Sequence, residues 1–201
     1  MIALTAVALS VLACSVDGDP VRVPDLAPRT VDASAFPYGP GVAVPDAQIP
    51  NAVADITFTP LRAQNQPAEC TPAPVDASGA QVRVGPGGPA GGTVTVMVAR
   101  APNTFDEYVT GLRECSNFGL GGTVGTRVLT NVGSVADDTV ESGRTLRTDG
   151  RPYSRVYELV GQRDGVRLYV QNRFSGNELG ADERSAMRNL FDSAYAKAFD
   201  G

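Results

Sequence analysis

The amino-acid sequence predicts an α+β domain: a mostly antiparallel sheet of about five to seven strands, two amphipathic helices packed on one face, and one disulfide. Three observations carry this expectation. Runs with the two-residue period of a strand follow one another through short turns, which favours antiparallel pairing. Two stretches, near residues 103–115 and 182–199, switch to the 3.6-residue period of a helix. Of three cysteines, Cys70 and Cys115 are left to pair with each other once Cys14 is assigned elsewhere.

The chain opens with an uncharged apolar run, Ile2 to Leu12, of 11 residues. A helix needs about 20 residues to span a bilayer, so this run is too short to do so and matches the apolar region of a secretory signal. The sequence Val11-Leu12-Ala13-Cys14 that ends it resembles a bacterial lipobox. The resemblance implies that residues 1–13 are a lipoprotein signal peptide and that Cys14 carries lipid as the mature N-terminus. The protein is then expected at the extracytoplasmic face of the cell membrane, held through its lipid anchor. Secretion after cleavage elsewhere is the alternative.

Eleven of the fifteen prolines fall between Cys14 and Val75. Proline has no amide donor and a fixed φ, so residues 14–53 read as an extended tether that joins neither a sheet interior nor a long helix. Ser15 to about Arg29 is expected to be disordered. Phe36, Pro37 and Tyr38 are apolar anchors that dock part of the remainder.

The domain proper is expected over residues 54–201. Ile56 and Phe58 suggest a short strand, and Val82 and Val84 another, returned by the Gly85–Gly92 loop into Thr93–Ala99. From Asn103 to Cys115 the period changes: Phe105, Tyr108, Val109, Leu112 and Cys115 form one helical stripe, with Asp106 and Glu107 in the first turn where the helix dipole favours acids. Val124 to Val132 alternates again, and Arg144 to Thr148 is a weak strand. Tyr153–Gly161 and Val166–Phe174 flank Asp164-Gly165, a two-residue hairpin signal because a type I′ turn needs positive φ at both central positions. Met187, Leu190, Phe191, Ala194, Tyr195 and Ala198 give the buried stripe of a last helix, Asp182 to Phe199.

Composition narrows the chemistry. There is no His and no Trp, which removes imidazole acid–base catalysis, Ser-His-Asp and Cys-His nucleophiles, and His-ligated metals. Sixteen Arg, one Lys and 22 acids give a net charge of −5 with no basic run, so nucleic acid is not an expected partner. Gly119, Gly121 and Gly125 lie between a helix and a strand, the wrong context for a dinucleotide loop. Asp137, Asp138 and Glu141 cluster without the spacing of a calcium loop and read as a solvated turn. No catalytic residue, metal or cofactor is expected.

In an exported setting Cys70 and Cys115 are expected to form a disulfide. Counting outward from Asp164-Gly165 pairs Leu159 with Val170 and Gly161 with Leu168 on one side of the hairpin, leaving Glu158, Arg167, Tyr169, Gln171 and Arg173 on the other. Such a row on a helix-free face offers bidentate donors and aromatic rings to an acidic or carbohydrate-like ligand. It also fits the ordinary solvent-facing side of a half-buried sheet, which alternating strands always produce.

Several short motifs together resemble a known group. They are the lipobox, the Pro-rich spacer, Pro67-Ala-Glu-Cys70, a Phe105-Asp-Glu-Tyr108 helix ending in Arg113-Glu-Cys-Ser116, Gly165-Val-Arg-Leu-Tyr-Val170, and Asn189-Leu-Phe191. The combination resembles uncharacterised lipoproteins of mycobacteria and their actinobacterial relatives. More loosely, residues 54–200 are similar to the extracellular sensor-like domain of a mycobacterial receptor Ser/Thr kinase, whose disulfide pattern differs, so its ligand cleft is not carried over. The resemblance implies a non-enzymatic binding or sensing module at the envelope, taking a small-molecule, lipid or glycan ligand. The alternative is an accessory subunit docking on another envelope protein.

Overall fold

The computed structural model describes residues 25–176 and 178–200. The expected signal peptide and Cys14 lie outside the described residues. In chain order the strands are β1 (Val42–Ala43), β2 (Asp76–Pro86), β3 (Thr93–Arg100), β4 (Asn117–Gly119), β5 (Thr126–Val135), β6 (Thr139–Thr148), β7 (Arg151–Arg163) and β8 (Val166–Phe174). The α-helices are α1 (Ile49–Thr57), α2 (Phe105–Glu114) and α3 (Ala181–Phe199).

The fold is α+β. All eight strands join one sheet in the order β1-β2-β3-β8-β7-β6-β5-β4, each neighbouring pair antiparallel. The number exceeds the expected five to seven because β1 and β4, with two and three residues, are too short to display a period. The hairpin forms as its turn residues dictate: Asp164 and Gly165 have φ of 52° and 71°, and Arg163 pairs with Val166. Helix α2 starts at a capping box, in which Thr104 Oγ1 accepts from Glu107 N at 3.2 Å and Glu107 Oε2 accepts from Thr104 N at 2.8 Å.

The two expected helices do not share a face. Helix α3 packs Met187, Leu190, Phe191 and Ala194 against Val94, Val96, Val98, Leu168 and Val170. On the opposite face α1 and α2 bring Ile49, Val53, Phe105 and Val109 against Met97, Ala99, Val160 and Tyr169. The reason lies in β3, where Val94 and Val96 alternate with Met97 and Ala99, all fully buried. A strand apolar on both sides needs cover on both sides.

Ile56 and Phe58 do not open a strand. Pro50 sits in the first turn of α1, and Ile49, Val53 and Ile56 recur at helical spacing, while Phe58 takes the left-handed C-cap with φ 59°. This helix crosses residue 54, where the domain was expected to begin. Ahead of it, Leu26, Val31 and Phe36 are buried in the α3-side core, so the compact unit reaches back to Leu26, including residues 26–29 of the stretch expected to be disordered. Short 3₁₀ turns at Ala27–Arg29 and Ala33–Ala35 let a Pro-rich segment pack without joining a sheet interior.

The Phe36 ring is the anchor of this segment. A Cβ on Gly41 would stand 2.4 Å from Phe36 Cε2, and one on Gly85 2.6 Å from Phe36 Cδ1, so the ring lies between two backbones that must be glycine. Gly85→Val is therefore expected to cost about 1–3 kcal/mol by overpacking and to expose residues 26–43 to limited proteolysis. Unchanged stability and cleavage would show that Phe36 is not seated there.

Candidate ligand-binding site

The polar row predicted from the hairpin does share one face, with Glu158 opposite Gln171 and Gln162 opposite Arg167. That face is not open to solvent. It lies beneath α1 and α2, and Glu158, Arg167, Tyr169 and Gln171 are only 0%, 2%, 2% and 3% exposed. Arg173 stands apart: its guanidinium pairs with Asp55 of α1 at 3.2 Å and is half-exposed at the end of the row.

Burying a carboxylate is costly unless its lone pairs are met. Glu158 Oε1 accepts from Tyr108 Oη at 3.0 Å, Ser142 Oγ at 3.2 Å and Arg144 Nη2 at 3.3 Å. Its Oε2 accepts from Gln171 Nε2, which also donates to the Ile56 carbonyl at 2.8 Å and so ties the sheet to α1. Arg167 meets neutral acceptors: Nε donates to Gln162 Oε1 at 2.6 Å, Nη1 to Tyr169 Oη at 3.2 Å, and Nη2 to Asn103 Oδ1 at 3.0 Å. Its guanidinium lies 4.2 Å from the Tyr108 ring centre, as Arg144 lies 4.3 Å from that of Phe58. The buried Nε of Arg144 makes no hydrogen bond to protein. Two buried cations thus face one buried anion.

Beside this network lies a cavity of about 380 Å³. Arg144, Arg167, Tyr169 and Thr130 line its sheet side; Phe58, Leu112, Phe118 and the Cys70–Cys115 disulfide give it apolar walls. The disulfide expected between the two remaining cysteines forms and ties the end of α2 to the 68–73 segment. Buried Asn65 fixes the same segment by donating to the carbonyls of Cys70 at 2.8 Å and Phe58 at 3.2 Å, and by accepting from Gly121 N at 2.8 Å. At the mouth, Gly111 stands in mid-helix, where glycine costs about 1 kcal/mol against alanine. Nothing lies within 4 Å of where its Cβ would be, so a larger side chain here has open space to enter.

Burial, and secondarily Glu158, hold the Tyr108 hydroxyl well above its ordinary pKa; burial also raises Tyr169. Both phenols therefore keep their protons at neutral pH, Tyr108 donating to Glu158 and Tyr169 accepting from Arg167. A folded-state pKa above the unfolded value of 10 contributes stability that is complete below pH 10 and is lost as pH rises beyond it. In an alkaline titration followed by phenolate absorbance, Tyr108 and Tyr169 should ionise only together with unfolding. Early, independent ionisation of all six tyrosines would contradict this burial.

A wider depression of about 550 Å³ is lined by Arg144 as well, and its other cations are engaged: Arg184 with Glu178 at 3.0 Å, and Arg155 with Thr145 Oγ1 at 3.2 Å. Of the acidic cluster, Asp138 in the turn pairs with Arg163, and Glu141, which lies in β6, pairs with Arg188. Among the described residues no group of His, Cys, Asp and Glu is placed to hold a metal ion. Sequence reasoning missed Arg144, Tyr108, Phe58 and Asn103 as members of the site. Val140, Ser142, Arg144 and Leu146 alternate as one inward row of β6, a signal present once the strand is given its full ten residues.

Fold and cavity together define a single-sheet α+β protein with a pocket of small-molecule size beside a buried Arg–Tyr–Glu network. No model of a known protein family matches the chain, and no curated protein matches it either.

Proposed function

We propose that this chain is an exported module, held at the extracytoplasmic face of the cell membrane through lipid on Cys14, that binds a small-molecule, lipid or glycan ligand without transforming it. The observation that carries the reading is the cavity beneath α2, concave, walled by aromatic and apolar groups, with convergent polar groups on one side. The polar groups favour holding over reacting. Tyr108 and Tyr169 keep their protons, and four donors already engage Glu158. The resemblance to actinobacterial lipoproteins and to a receptor-kinase sensor-like domain points the same way.

Native mass spectrometry of the full chain purified from its own envelope tests this. The wild type should retain an added small mass that Gly111→Phe, which fills the mouth, loses. A co-purifying protein with no small mass would favour the accessory-subunit reading instead. Palmitate labelling should be lost in Cys14→Ala; labelling that persists would remove the anchor from the proposal.

A further inference from the structure

We infer that the ligand is a small amphipathic monoanion whose negative group meets Arg144 and Arg167 and whose apolar body lies along Phe58, Leu112 and the Cys70–Cys115 disulfide. The inference rests on the cavity being the binding site, and charge carries it. Arg144 and Arg167 are 6% and 2% exposed, and among the described residues the one buried acid is Glu158. A buried cation whose partners are neutral is costly, and an anion supplied from outside completes the balance.

Geometry agrees. Both guanidiniums are fixed against aromatic rings, at 4.3 Å over Phe58 and 4.2 Å over Tyr108, and Arg167 is held there with neutral hydrogen-bond acceptors and no carboxylate. Arg144 spends one N–H on Glu158, and its buried Nε has no protein acceptor. Exposed Glu69 and Glu107 also line the cavity, Glu107 being occupied in the capping box of α2. Their charges oppose a polyanion, and one negative charge matches the single excess cation within. The cavity, at about 380 Å³, is near the lower end of small-molecule pockets and lacks room for a polymer.

The test uses two dyes that differ by one sulfonate, 8-anilinonaphthalene-1-sulfonate and neutral N-phenyl-1-naphthylamine, titrated into the full chain carrying Cys14→Ala so that no anchor lipid competes. The anionic dye should bind one saturable site about 10- to 100-fold more tightly than the neutral one, the range of a charge-assisted contact. Arg167→Met, which leaves no buried carboxylate unpaired, should remove that preference and leave the neutral dye unchanged. If Arg167→Met does not fold, the charge-balanced Arg144→Met/Glu158→Gln chain should weaken the anionic dye selectively. Gly111→Phe should abolish both. Equal affinity for the two dyes, both lost in Gly111→Phe, would overturn the anion preference and leave the pocket standing. Binding of neither dye, or binding indifferent to Gly111→Phe, would overturn the pocket itself.

Discussion

Arg144→Met should lower the free energy of unfolding by about 3–5 kcal/mol, measured by urea denaturation, the cost of stranding a buried charge. Arg144 Nη2 lies 3.3 Å from Glu158 Oε1, and the side chains of the pair are 5% and 0% exposed. Methionine keeps much of the apolar contact with Phe58 but leaves the carboxylate with neutral donors alone. Adding Glu158→Gln should return most of the loss, because it removes the stranded charge and Tyr108 and Ser142 can still donate to the amide oxygen. The double-mutant cycle isolates the pair. Should Arg144→Met cost no more than an exposed substitution, the pair is hydrated in solution and the dry side of the cavity is not.

Cys70→Ala/Cys115→Ala should cost about 4 kcal/mol in the chain-entropy account of a loop closed across 45 residues. For a domain of this size that corresponds to a fall in Tm on the order of 10 °C. A reductant should do the same to the wild type and not to the variant. Function should follow stability here, because Cys115 caps α2 and Cys70 belongs to the facing wall of the cavity. Dye binding should weaken in the folded variant at low temperature, while the α3-side core, which the disulfide does not touch, keeps its helix signal. A reduced protein melting with the oxidised one would rule out the bridge in solution.

Much of this architecture was legible because local chemistry specifies it. Asp164-Gly165 sets the hairpin register by its turn geometry, and from that register alone Glu158, Arg167, Tyr169 and Gln171 fall on one face. Thr104 and Glu107 begin α2 at their capping box, and two cysteines left over from Cys14 found each other. The illegible parts were decided elsewhere. Ile56 and Phe58 on their own carry a strand's spacing; Ile49 and Val53 upstream extend Ile56 into a helical stripe, Pro50 starts the helix, and Phe58 is its C-cap. Arg144 stood at the start of a weak strand expected only over Arg144 to Thr148, so its alternation with Val140 and Ser142 upstream had no frame to be counted in.

The sequence by itself determined the α+β class, the antiparallel hairpins, both long amphipathic helices and which residues of β7 and β8 share a side. These follow from periods and turns within a few residues of chain. Only the tertiary structure decided that the polar row is covered. One side of a strand looks the same in sequence whether water or a helix lies on it, and long-range packing of α1 and α2 over Glu158 and Arg167 turned a surface into the wall of a cavity. With that burial, the excess of two buried arginines over one buried acid acquires a consequence that solvent would have screened away.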